Sequence, residues 1–189
     1  MIKVLIQGHP YDFYSKGHWM KEYIEQRSEI DYPGTVVQYE TADIKEGGTH
    51  VMNFLHVDYK FVHSFDTLWL PDLGGDWYNV QDKFAQSDIQ KQAHFLLRMI
   101  KIASVVVKPG GHVYVSKFIS QPRYGYDKDE LIEQIVNLSN QEKTFHVAEK
   151  KIMMYGEPGI HFVRNQETPS FDLAEQSHHN ELRLRLTLK

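Results

Sequence analysis

The most constraining stretch of this 189-residue chain runs from Gln92 to Phe118, where an amphipathic segment meets Lys108-Pro109-Gly110-Gly111 and gives way to an apolar one. Phe95, Leu96, Met99, Ile100, Ile102, Ala103, Val106 and Val107 fall roughly at helical spacing, so the segment predicts a helix with one apolar face. Pro109 lacks an N–H and disfavours helix in the residue before it, which stops the helix. Gly110 and Gly111 permit a tight reversal, and Val113-Tyr114-Val115 then reads as a buried strand.

The same alternation extends along the chain. Ile2–Ile6 is expected as a first strand, bounded by Gly8-His9-Pro10. Ser15–Arg27 suits a helix, with Ser15 as N-cap and Trp19, Met20, Tyr23 and Ile24 on one face. Strands are expected at Thr35–Glu40, Thr49–Leu55 and Phe65–Leu70, and a helix at Asp127–Asn140. Phe145–Tyr155 and Gly159–Arg164, joined at Gly156-Glu157-Pro158-Gly159, read as a β-hairpin. This pattern predicts an α/β fold: an open, mostly parallel sheet covered on both faces and closed by a C-terminal antiparallel hairpin. One link is short. Only Thr41–Gly48 separates the second and third strands, whereas a parallel crossover usually takes about a dozen residues. A hairpin turning at Glu46-Gly47-Gly48, in a sheet stripped of outer helices, is the alternative.

Residues 1–165 are expected to form one domain and residues 166–189 a polar extension. The extension ends in Leu182-Arg183-Leu184-Arg185-Leu186-Thr187-Leu188, a strict alternation that suits an edge strand, a contact within a homo-oligomer, or a disordered tail. The net charge of −4 gives no general attraction to nucleic acid, so any RNA contact needs a local basic patch. The absence of cysteine excludes disulfides and thiolate zinc sites and suits a reducing, cytoplasmic setting. No signal peptide is read at Met1-Ile2-Lys3, and the longest apolar runs are too short for a bilayer, so no membrane partner is expected. The 11 histidines form no HExxH pattern, and no metal site is expected; a GxxxxGK phosphate loop is also lacking.

Phe65-Asp66-Thr67-Leu68-Trp69-Leu70-Pro71-Asp72-Leu73 and the segment from Lys108 to Phe118 resemble the fourth- and fifth-strand regions of class I S-adenosylmethionine (SAM) dependent methyltransferases. The nearest likeness is to FtsJ-like ribose 2′-O-methyltransferases. The resemblance covers roughly Ile2 to Arg164 and is strongest from Phe65 to Phe118. It implies a Rossmann-like sheet of seven strands in the order 3-2-1-4-5-7-6, SAM as cofactor, and RNA ribose or a small molecule as methyl acceptor. Asp72 matches the acid that ends the family's fourth strand, and Lys117, six residues past Gly111, matches a catalytic lysine. These are the middle members of a Lys-Asp-Lys-Glu tetrad. Such a pair orients or helps deprotonate a hydroxyl whose oxygen attacks the methyl in line.

The resemblance also implies a cofactor site. Of the family's GxGxG loop only Gly8 remains, followed by His9, Pro10 and Tyr11, with Tyr11, Tyr14 and Trp19 as candidate linings. Glu40 matches the acid that bonds ribose hydroxyls, Asn53 or Asp58 the adenine-side acid, and Leu73 lies beside Asp72. The chain departs from the tetrad at both ends, because Lys3 lies inside the first strand and Glu157 in the hairpin turn. These departures give a rival reading, a catalytically inactive methyltransferase-like protein acting in binding or assembly. A flavodoxin-like nucleotide binder, drawn from the Lys3–Pro10 start, is a third.

Overall fold

The computed structural model describes residues 1–8, 19–43, 47–52, 57, 59–71, 86–116, 127–141, 144–150, 152 and 159–165. Among these residues lie seven strands: β1 (Ile2–Gln7), β2 (Val37–Asp43), β3 (His50–Val51), β4 (Phe65–Leu70), β5 (Val107–Ser116), β6 (Phe145–Lys150) and β7 (Gly159–Arg164). Three α-helices accompany them: α1 (Trp19–Asp31), α2 (Asp88–Val106) and α3 (Lys128–Asn140). The sheet order is β3-β2-β1-β4-β5-β7-β6, with β7 antiparallel to both of its neighbours and every other pairing parallel. This is the mostly parallel α/β sheet with a C-terminal antiparallel hairpin that the sequence predicts.

Side-chain parity along the strands sorts the interior into two cores. Leu5, Leu68, Leu70, Val113, Val115, Ile160 and Phe162 face α2 and α3 and join one large cluster. Val4, Ile6, Trp69 and Tyr114 point the other way, toward Ile24 of α1, in a smaller one. Helix α2 starts earlier than its apolar spacing suggests, because Ser87 caps it by accepting the Gln90 N–H at 3.2 Å. Asp127 caps α3 by accepting the Asp129 N–H at 2.8 Å.

Several sequence expectations need correction, among them the first helix, expected over Ser15–Arg27, which runs on to Asp31. The hairpin alternative at residues 46–48 is not formed: β3 pairs parallel to β2, Ala42 opposite His50 and Asp43 opposite Val51. A short crossover suffices because β3 has only two residues, where Thr49–Leu55 was expected. Thr41 and Thr49 close it by exchanging bonds, each hydroxyl accepting the other's N–H at 3.1 Å. The Lys108–Gly111 segment does not precede its strand but lies within β5. There the register jumps from Phe65 opposite Val107 to Thr67 opposite His112. Pro109 occupies the irregularity, where the ladder tolerates a residue without an N–H. Gly110 takes φ +79°, and a Cβ on Gly111 would lie 2.5 Å from the Asp66 carbonyl oxygen, so only glycine fits there. Finally, the second strand runs to Asp43 rather than ending at Glu40. Its last residues have weak strand propensity, but the six-residue match with β1, from Ile2↔Val37 to Gln7↔Ala42, holds them in the ladder.

Candidate functional site

The carboxyl ends of β1, β2, β4 and β5 lie along one edge of the sheet, where open parallel sheets bind ligands. Gly8 follows β1 with φ +83°, and its N–H donates to the Ala42 carbonyl at 2.9 Å. A Cβ built on Gly8 would meet nothing within 4 Å among the described residues, and its positive φ suits glycine. One residue earlier, Gln7 Oε1 is buried without a hydrogen-bond partner among the described residues. Asp43 ends the neighbouring strand β2, and its carbonyl accepts the Met52 N–H at 2.8 Å.

Glu40 lies mid-strand, opposite Leu5, and is 5% exposed. Its Oε1 accepts from Gln38 Nε2 at 2.8 Å, with Lys3 Nζ at 3.8 Å, and its Oε2 pairs with His50 Nε2. The His50 ring in turn packs edge-on against Phe61, centroids 4.9 Å apart. Glu40 therefore ties β1, β2 and β3 together. The carboxylate at the end of β2, where the resemblance calls for an acid that bonds ribose, is that of Asp43. The strand boundary was the signal: pairing with all six residues of β1 carries β2 past Glu40.

Leu70 stands opposite Val115, so β4 and β5 end nearly level. Asp72 follows Leu70 by two residues and Lys117 follows Val115 by two. Asp72 and Lys117 themselves lie outside the described residues, as do His9, Pro10, Tyr11, Tyr14, Asn53, Asp58, Leu73, Glu157, the Trp19 side chain and residues 166–189. Of the site residues expected from sequence, Gly8 and Glu40 are described.

The opposite edge of the sheet holds residues that the sequence reading did not single out. Asp66 Oδ2 accepts the Lys3 N–H at 2.8 Å and Oδ1 accepts from Lys108 Nζ at 2.7 Å, which pins the β5 irregularity to β1 and β4. The Tyr32 hydroxyl lies 2.8 Å from Thr67 Oγ1, and burial pushes its pKa up to about 12, so it stays a neutral phenol. Among the described residues, no group of three or more His, Asp or Glu could hold a metal ion, and no helix is long and apolar enough to cross a membrane.

No protein-family model matches the chain, and comparison with curated proteins finds no match. Solved structures do match in fold. An antibiotic-resistance methyltransferase, Kmr, superposes with a TM-score of 0.51 at 10% sequence identity, covering 87% of this chain and 86% of that one. The CurJ carbon methyltransferase superposes with a TM-score of 0.50 at 12% identity, covering 87% of this chain and 48% of that one. Strand order and superposition agree: the chain has the Rossmann-like fold of class I methyltransferases.

Proposed function

We propose that this chain is a SAM-dependent methyltransferase whose acceptor is the ribose 2′-hydroxyl of RNA. The observation that carries the reading is the strand order with its reversed β7, which sets Gly8 and Asp43 side by side at the carboxyl ends of β1 and β2. The residues present suit SAM. Among the described residues nothing meets a Cβ on Gly8 within 4 Å and Gln7 Oε1 is a buried acceptor lacking a donor, while a carboxylate at the end of β2, that of Asp43, is of the type that accepts ribose hydroxyls. When bound, SAM supplies an activated methyl group on its sulfonium. The chain's own part is to hold the acceptor oxygen in line with that methyl and to assist loss of its proton. Asp72 and Lys117, which follow the level ends of β4 and β5, are assigned that part.

The test is methyl transfer from labelled SAM to RNA, followed by nuclease digestion to locate the label. Label on ribose, lowered at least about tenfold by Asp72→Ala and by Lys117→Ala, is the expected result. Label on a base would retain methyl transfer and reject the ribose assignment. Full activity in both variants would reject their roles.

A second reading, a non-catalytic relative serving as a binding or assembly protein, is favoured by the sequence after Gly8. His9-Pro10-Tyr11 replaces the family's glycines, and Pro10 removes a backbone donor. Failure to bind SAM would select it. A homo-oligomer joined through Leu182–Leu188 fits either reading, and sedimentation of the chain with and without residues 166–189 tests it.

A further inference from the structure

Helix α1 is fastened to the sheet by a closed ring of polar contacts. Arg27 Nε donates to the Tyr114 hydroxyl at 3.0 Å, and that hydroxyl donates to Asp31 Oδ2. His112 Nδ1 lies 3.9 Å from Asp31 Oδ2 and 2.8 Å from His161 Nε2. His161 Nδ1 faces Arg27 Nη2 at 3.5 Å, which closes the ring. The two imidazole planes are nearly parallel, 13° apart, and Tyr114 stacks between His161 and Trp69 with centroids 4.2 and 4.1 Å away. The five residues come from α1, β5 and β7.

We propose that this ring is a proton-sensitive latch, which holds α1 on the sheet at neutral pH and releases it on mild acidification. Donor and acceptor roles fix the logic. A guanidinium only donates, so His161 Nδ1 must accept. His161 Nε2 then carries the ring's proton and donates to His112 Nδ1, leaving the His112 proton on Nε2. Both imidazoles are neutral, each has its free lone pair aimed at an N–H, and the 3.9 Å approach of Asp31 Oδ2 to His112 Nδ1 carries no hydrogen bond, so Asp31 is held through Tyr114. A further proton on His161 would face Arg27, and one on His112 would face the His161 N–H. Neither can be added without breaking a contact of the ring.

The surrounding charges do not relieve this. From α1 come Arg27 and Asp31; Tyr32, from the turn after α1, packs edge-on against His112 at 5.4 Å and links the ring to the Asp66–Lys108 pair. From β6 come His146 and Glu149, and Glu149 is spent on Arg27 Nη2 at 2.8 Å. Burial, then His112, Arg27 and His146, push His161 down from 6.5 to about 3. Burial and Arg27 also push His112 down, against the opposing pull of Asp31. Both imidazoles thus bind protons more weakly in the ring than in water. The docked helix is fully favoured above about pH 6.5 and is progressively lost as pH falls toward about 3.

Release is local because the two cores differ in size among the described residues. Six buried residues, joined by the half-buried Ile2, Met20, Tyr23, Val37 and Tyr39, form the core that includes α1, whereas the cluster under α2 and α3 is far larger. The latch stands whether or not the chain transfers methyl groups, because its readout is helix protection alone.

The test is hydrogen exchange of the full chain at about pH 7.5 and about pH 5, corrected for the intrinsic pH dependence of exchange. About 1.5 units below the ordinary histidine value, one imidazole that regains its proton on release shifts the equilibrium about thirtyfold. Protection of residues 19–31 should therefore fall about thirtyfold, while that of residues 88–106 changes less than about threefold. In His161→Gln or His112→Gln the fall should shrink to a few-fold. Protection of 19–31 that ignores pH would overturn the latch. So would an equal loss in both helices, or an undiminished fall in both variants.

Discussion

On one side of the sheet, α2 and α3 bury aliphatic side chains from β1, β4, β5 and β7 in a continuous core. On the other, α1 lies over Ile6, Trp69 and Tyr114 and is tied down by Arg27, Asp31, His112 and His161. The first face is held by area removed from water, which is indifferent to pH. The second depends on which atoms carry protons. Stability should therefore reside on the α2–α3 face and responsiveness on the α1 face. Helix α1 is also the next described element after Gly8 in sequence.

Truncations on the two faces test this contrast most severely. Leu96→Ala, at a nearly inaccessible position of α2, should cost about 4 kcal/mol in urea unfolding. Ile24→Ala, equally buried on α1, should cost about 2 kcal/mol, with exchange protection lost first in residues 19–31. Equal costs, or uniform loss of protection in both variants, would erase the distinction. Gly111→Ala lies between them. Its new methyl would meet the Asp66 carbonyl, which the β4–β5 ladder cannot move, and a loss of about 3 kcal/mol is expected. A neutral result would mean that the β5 irregularity yields more than its register suggests. The smallest effect belongs to Asp66→Asn. It weakens the charged contact with Lys108 but keeps an acceptor for the Lys3 N–H, and about 1 kcal/mol is expected. The cost should shrink in high salt, since the pair is partly exposed to solvent.

The two faces also differed in how far sequence disclosed them. The α2 helix and its strands were legible because 3.6-residue spacing and apolar runs encode burial directly. The strand order came from the resemblance around Phe65–Leu73 and Lys108–Phe118, not from local propensity. The ring under α1 was not legible. Arg27, Asp31, His112, Tyr114 and His161 are scattered over 135 positions, and each alone resembles an ordinary polar residue. Only the parallel β4–β5 register and the reversed β7 bring them together. The end of β2 was placed three residues early, at Glu40 rather than Asp43, for a related reason. Strand propensity fades after Thr41, and two non-local ladders, with β1 as far as Ala42 and with β3 at Asp43, carry the strand on. Asp72 and Lys117 rest on motif position alone.

Calorimetric titration of the full chain with SAM at about pH 7.5 tests the central claim most directly. One saturable site with micromolar affinity is expected, weakened at least about tenfold by Asp43→Ala and little affected by Glu40→Gln if that variant folds. No binding at any accessible SAM concentration would contradict a methyltransferase. Binding weakened by Glu40→Gln but not by Asp43→Ala would contradict the site as drawn here.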